Sequence, residues 1–145
     1  MTLTAIIDPA SKFFQLEEME DKETCATQLF LEPGGVVAAK TSETDGPIPK
    51  EVSGTWSTAN EGKSFEMTIN RAFGAGGESS KQSDMGEFKF SVDRRYEGDF
   101  TFVGESLSVT GDIHSIDETF GDMKVGWFNM IDTTDARLGA EKEWW

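Results

Sequence analysis

Phe65-Glu66-Met67-Thr68-Ile69-Asn70-Arg71-Ala72-Phe73 decides the fold. Apolar and polar residues alternate through it, so an extended chain places Phe65, Met67, Ile69, Arg71 and Phe73 on one face and the polar residues on the other. That is the signature of a half-buried β-strand, with one anomaly: the apolar face carries an arginine. Phe88-Lys89-Phe90-Ser91-Val92-Asp93-Arg94-Arg95-Tyr96 repeats the pattern, with Arg94 in step with Phe88, Phe90, Val92 and Tyr96. Arginine keeps its charge in proteins, so a guanidinium facing a core needs a carboxylate or several carbonyls. Two readings stay open. Each arginine lies at a sheet end and reaches water or a structural ion pair, or the two are polar anchors in a cavity.

Outward from these strands the chain is a series of short alternating runs separated by turn residues, which predicts an all-β domain. Thr24–Leu31 alternates through Cys25, Thr27, Leu29 and Leu31, and Glu32-Pro33-Gly34-Gly35 turns it into Val36–Lys40. Val52–Thr58 leads through the Asn60-Glu61-Gly62-Lys63 turn into the Phe65 strand. The strand from Glu87 is expected to reach Val103 with a bend at Glu97-Gly98-Asp99, where glycine permits a bulge, and to pair with Leu107–His114 so that Phe102 faces Leu107 and Phe100 faces Val109. Met123–Ile131 is apolar on both faces, which predicts a covered or central strand. Lys12–Glu18 reads as strand or helix, because Asp8-Pro9 also fits a helix start. About eight consecutive strands with short links favour an up-and-down antiparallel barrel, since closure removes exposed edges. The expected division is an arm at 1–11, a barrel at 12–131 and a tail at 132–145.

The sequence has 27 acidic against 13 basic residues, a formal charge of −14, which repels phosphate backbones and anionic lipid and so argues against nucleic-acid binding. No apolar run approaches the length of a membrane helix, and Met1–Ile7 lacks the basic start of a secretory signal. A soluble intracellular protein, cytoplasmic or plastid, is expected. Cys25 is the single cysteine and His114 the single histidine, so neither a disulfide framework nor a multi-His zinc centre is available. The two are expected on opposite sheet faces, with Cys25 a small buried hydrophobe. Asp112, His114, Asp117, Glu118 and Asp122 lack the ordered spacing of a calcium loop, and Gly74-Ala75-Gly76-Gly77 lacks the lysine of a phosphate loop. No metal, cofactor or catalytic constellation is expected, and a non-enzyme is favoured.

The charge run Glu17–Glu23 reads as a solvated turn or a patch for a basic partner, with Glu18 in step with Phe14 and Leu16 and available to Arg71 or Arg94. Trp144-Trp145 carry enough apolar area to predict contact, with the barrel or with a partner protein. The favoured function is a non-catalytic accessory protein docking on a larger assembly. The alternative is a carrier of a small, partly apolar anionic ligand, with Arg71, Arg94, Tyr96, Trp56 and Trp127 as ligand-binding residues.

Val52-Ser53-Gly54-Thr55-Trp56-Ser57 resembles the Gly-x-Trp strand of lipocalin-type and avidin-type, calycin-like barrels. In lipocalins that motif lies on the first barrel strand, whereas here it follows three candidate strands. Thr44-Asp45-Gly46-Pro47, Asp84-Met85-Gly86-Glu87-Phe88 and Val125–Thr134 resemble small acidic proteins of diatoms and related algae. That resemblance implies an organelle setting and supplies no catalytic residues.

Overall fold

The computed structural model describes residues 8–45, 48–74, 89–117 and 121–134. They form eight strands: β1 (Lys12–Glu20), β2 (Glu23–Glu32), β3 (Val36–Thr44), β4 (Glu51–Ala59), β5 (Ser64–Gly74), β6 (Lys89–Val103), β7 (Ser106–Asp117) and β8 (Gly121–Asp132). Each pairs antiparallel with the next, and β1 pairs with β8, so the sheet is a closed up-and-down barrel. Lys12–Glu18, ambiguous in sequence, is strand: Phe14, Leu16 and Glu18 alternate inward along it. Among the described residues no helix is long and apolar enough to cross a membrane.

The alternation read from sequence builds the interior. Phe14 and Leu16 of β1, Leu29 and Leu31 of β2, Phe65, Met67 and Ile69 of β5, Val109 and Ile113 of β7, and Phe128 and Met130 of β8 are all buried. Residues this deeply buried each contribute roughly 1.5–3 kcal/mol of transfer free energy, and together they drive closure. The β6–β7 hairpin has the expected register, Phe100 opposite Val109 and Phe102 opposite Leu107.

Two expectations are corrected. The pairing of β6 with β5 and β7 runs through Gly98 without interruption, so there is no bulge there. Gly98 faces Gly111, and a Cβ on Gly111 would sit 1.9 Å from the Glu97 carbonyl oxygen: these glycines permit close backbone approach. The register shifts lie elsewhere, at Ala26/Thr27 and at Ile113/His114. The covered reading of β8 gives way to the central one: it pairs with both β1 and β7, but Trp127 on its outer side is 55% exposed while Phe128 and Met130 fill the barrel.

The turns follow local chemistry. Asn60, Glu61 and Gly62 all take positive φ between β4 and β5, and Asp21 and Lys22 do so between β1 and β2. The run Glu17–Glu23 is therefore not one solvated turn: Glu17–Glu20 finish β1, and only Asp21 and Lys22 turn. The β3–β4 pairing extends only from Val36 to Ala38, so the two strands part toward Thr44 and Glu51. That parting loosens one end of the barrel, where the inward arginines lie.

Candidate functional site

Arg71 on β5 and Arg94 on β6 both project toward the interior near this loosened end. Arg71 is 8% exposed and Glu18 6%, and Tyr96 is fully buried. The Arg71 Nη2 donates to Glu18 Oε1 at 2.6 Å and to Thr27 Oγ1 at 3.4 Å, and its Nη1 donates to Tyr96 Oη at 2.9 Å. The Tyr96 hydroxyl in turn donates to the other Glu18 oxygen, closing a ring of three side chains from β1, β5 and β6. Arg71 Nε is buried with no hydrogen-bond partner among the described residues.

The sequence places an unpaired charge in a core, and the structure answers it with a neutral cluster. Burial raises the Glu18 pKa above the ordinary carboxylate value, against the pull of Arg71 and of the Tyr96 hydrogen bond. Tyr96 is pushed well above its ordinary value by burial and then by the Glu18 charge. Burial disfavours the Arg71 cation, but Tyr96 and Glu18 beside it outweigh that and hold its pKa above the usual value. Arg71 as cation, Glu18 as anion and Tyr96 as neutral donor satisfy one another. Such a cluster adds little net stability over an apolar replacement but punishes loss of a single member.

Arg94 is paired differently. Its Nε and Nη2 donate to the two oxygens of Glu20 at 3.0 and 3.1 Å, a bidentate fork, and its Nη1 donates to the Asp93 carbonyl at 3.1 Å and Ser115 Oγ at 3.3 Å. These side chains are 21% and 28% exposed, so this pair sits at the water boundary. Between the two pairs lies a cavity of about 270 Å³. Phe73, Val92 and Pro49 give it apolar wall, Cys25 and Thr44 line it, and Glu23 stands at its edge. Cys25 thus faces inward as expected but is only partly buried, on the cavity wall, where burial and the nearby Glu18 raise its thiol pKa. That environment keeps the thiol protonated and poorly nucleophilic.

The five residues expected to share one ligand site do not come together. Arg71 and Arg94 line the cavity, while Tyr96 lies beneath it as the partner of Arg71 and Glu18. Trp56 faces the interior but at the other end: Arg71 is opposite Val52 and Trp56 is opposite Met67, about 13 Å further along the sheet at ~3.3 Å per residue. There it stacks on Phe65 with centroids 6.4 Å apart, and its Nε1 donates to the Glu32 carbonyl at 3.0 Å. Trp127 faces outward, beside Glu17, Met19, Glu43 and Asp45 in a groove of about 560 Å³ that shares Glu18, Thr24, Cys25 and Thr44 with the end cavity. Trp144 and Trp145 lie outside the described residues.

Cys25 and His114 occupy opposite faces, as their strand positions imply. His114 Nδ1 is 3.0 Å from Asp122 Oδ1 on the outside. Arg95 donates from Nη2 to the other Asp122 oxygen at 2.5 Å and from Nε to Glu97 at 2.6 Å. Arg95 first, then His114, hold the Asp122 carboxyl below the ordinary range. Asp112 meets Lys124 at 3.2 Å. These carboxylates serve ion pairs, and among the described residues no group of His, Cys, Asp and Glu is arranged to hold a metal.

Glu20 does not stand out in the sequence, although it follows Glu18 at the strand period. What sequence lacks is the cross-barrel distance that brings β1 to face β6. Compared with protein families, with curated proteins and with solved structures, the chain finds no match.

Proposed function

We propose that this barrel binds a small, partly apolar ligand in its end cavity and acts as a calycin-like carrier, not an enzyme. The observation that carries this reading is the cavity of about 270 Å³ walled by both inward arginines. At ~30 Å³ per water it has room for roughly nine waters, which suits a metabolite-sized molecule rather than a lipid. Below it, Tyr96, Ile69, Phe14 and their neighbours fill the barrel, so the site is a cup with a rigid floor. The Glu18–Arg71–Tyr96 ring fixes that floor, because no member of it moves without stranding a buried polar group.

The test is native mass spectrometry of the protein purified from its source, beside a Val92→Trp variant whose indole fills the cup. A discrete mass adduct on the wild type that is lost in the variant supports the reading. An adduct retained at full occupancy in a folded Val92→Trp protein, or no adduct on the wild type, counts against it.

A second reading, an accessory protein docking on a larger assembly, draws on the outer face. Trp127 is 55% exposed there, and the groove beside it is edged by Glu17, Glu43 and Asp45. Such a face suits a basic partner, and Trp127→Ala would then abolish co-purification while leaving the adduct in place. The same face argues against insertion in lipid. Glu66, Arg95, Glu97 and Lys124 stand on the outside of the strands, and a basic residue on a lipid-facing wall costs about 2–4 kcal/mol at the bilayer midplane.

A further inference from the structure

We propose that the occupant of the end cavity is a small organic cation, a primary ammonium group on a short apolar body, and not an anion. This rests on the cavity being the binding site and concerns what that site recognises. Two inward arginines advertise an anion site in the sequence; the hydrogen bonds reverse the expectation.

Arg71 is already engaged on three of its five N–H donors. Its Nη1 serves Tyr96 and its Nη2 serves Glu18 and Thr27, while its Nε is buried and has no partner among the described residues. Arg94 is engaged likewise: Nε and Nη2 face Glu20, and Nη1 serves the Asp93 carbonyl and Ser115. An incoming carboxylate would have to displace Glu20 from a bidentate fork and leave that glutamate unpaired beside the new anion.

Acceptors, by contrast, remain free. Among the described residues three carboxylates line the cavity, Glu18, Glu20 and Glu23, against two guanidinium groups. Each carboxylate oxygen has two lone pairs, so Glu20 keeps acceptor capacity after both bonds from Arg94. Glu23 is exposed at the edge and its side chain makes no ion pair or hydrogen bond among the described residues. An ammonium group between Glu20 and Glu23 would donate to both and leave the Arg94 fork intact. Its apolar body would lie on Phe73, Val92 and Pro49, and the overall charge of −14 would draw cations toward the mouth. The paired arginines then act as positioning residues: Arg94 holds the Glu20 carboxylate where the ammonium needs it.

The test compares three probes sharing one phenyl-alkyl frame: phenethylammonium, 3-phenylpropionate and the neutral 2-phenylethanol. Each is titrated into the full chain while the backbone amide signals of Thr24, Cys25 and Arg94 are followed by NMR. The expected result is saturable shifts with phenethylammonium, with affinity at least tenfold above that for 3-phenylpropionate. Glu23→Gln should weaken ammonium binding about tenfold. Glu61→Gln, which removes an equal charge at the opposite barrel end, should change it less than twofold. Equal or tighter binding of the carboxylate, or an equal loss in both variants, overturns the proposal. If only the carboxylate or the alcohol binds, the cation proposal fails while the carrier reading stands. If none of the three shifts these signals, both fall.

Discussion

Replacing Arg71 by methionine should cost about 3–5 kcal/mol at neutral pH, and the cost should shrink as the solution is acidified. The size follows from burial. With Arg71 8% and Glu18 6% exposed, removing the cation leaves a carboxylate that water barely reaches, the situation in which breaking a buried pair costs about 3–5 kcal/mol. Methionine keeps much of the stem's packing, so the loss reports the charge rather than a void. The pH dependence follows from protonation. Burial already raises the Glu18 pKa, and Arg71 is the strongest force opposing that rise, so the variant's Glu18 titrates higher still in the folded state. A carboxyl whose folded pKa exceeds its unfolded value of about 4.3 contributes stability that is present below that value and is lost as pH rises through the folded pKa. The slope approaches about 1.4 kcal/mol per pH unit within that window. Urea unfolding of wild type and variant from pH ~4.5 to ~7.5 reads the difference directly. Glu18→Gln combined with Arg71→Met removes the titrating group, so the double variant's own stability should lack the fall with rising pH that Glu18 gives the single variant. A deficit below about 1 kcal/mol, or one independent of pH in the single variant, would show that the ring is not the buried, mutually dependent unit described above.

Gly111→Ala should lower the melting temperature by more than about 4 °C, since its Cβ would meet the Glu97 carbonyl at 1.9 Å and overpacking costs about 1–3 kcal/mol; a shift under about 1 °C in a thermal melt would contradict the close approach. The Thr24 backbone N–H, then its hydroxyl, hold Asp45 below the ordinary carboxylate range, as Arg95 holds Asp122. Their contribution is therefore complete above pH ~3.9 and lost as pH falls through the lowered values, so Asp45→Asn with Asp122→Asn should flatten the acid limb of stability in urea titrations between pH ~2.5 and ~5; superimposable limbs would refute the assignment.

The barrel is legible in the sequence because its information is local. Alternation fixes which face each residue takes, and turn chemistry at Pro33-Gly34-Gly35 and Asn60-Glu61-Gly62 fixes where strands reverse. The inward direction of Arg71 and Arg94, and Glu18 as a partner, follow from the same period. What local pattern cannot supply is distance across the barrel. Glu20 meets Arg94 across 74 residues of sequence, and no spacing rule links them. Large aromatics suit ligands, which on sequence grounds groups Trp56 and Trp127 with the arginines. Yet one lies at the far end of the interior and the other outside, differences of height and facing that depend on register around the whole ring. A lone glycine in a strand often marks a bulge, and Gly98 reads that way in isolation. Its partnership with Gly111 emerges only once the hairpin register is drawn through it.

The pairing of β1 with β8 has a consequence for how the chain is threaded. Around a ring no strand is first. The Thr133 N–H donates to the Phe13 carbonyl at 2.8 Å, and the Phe13 N–H donates to Thr134 Oγ1 at 2.9 Å, so the entrance and exit of the ring are stitched side by side. A short linker there would allow the chain to be reopened at the Pro33–Gly35 turn, giving a circular permutant with the same neighbours in a different order of synthesis. In that permutant β5 emerges before β1, so Arg71 precedes the glutamate it needs. The native and permuted chains would share every contact and differ only in the loops that must close to make them. Their relative folding rates would isolate the entropy of those closures from the chemistry of the contacts.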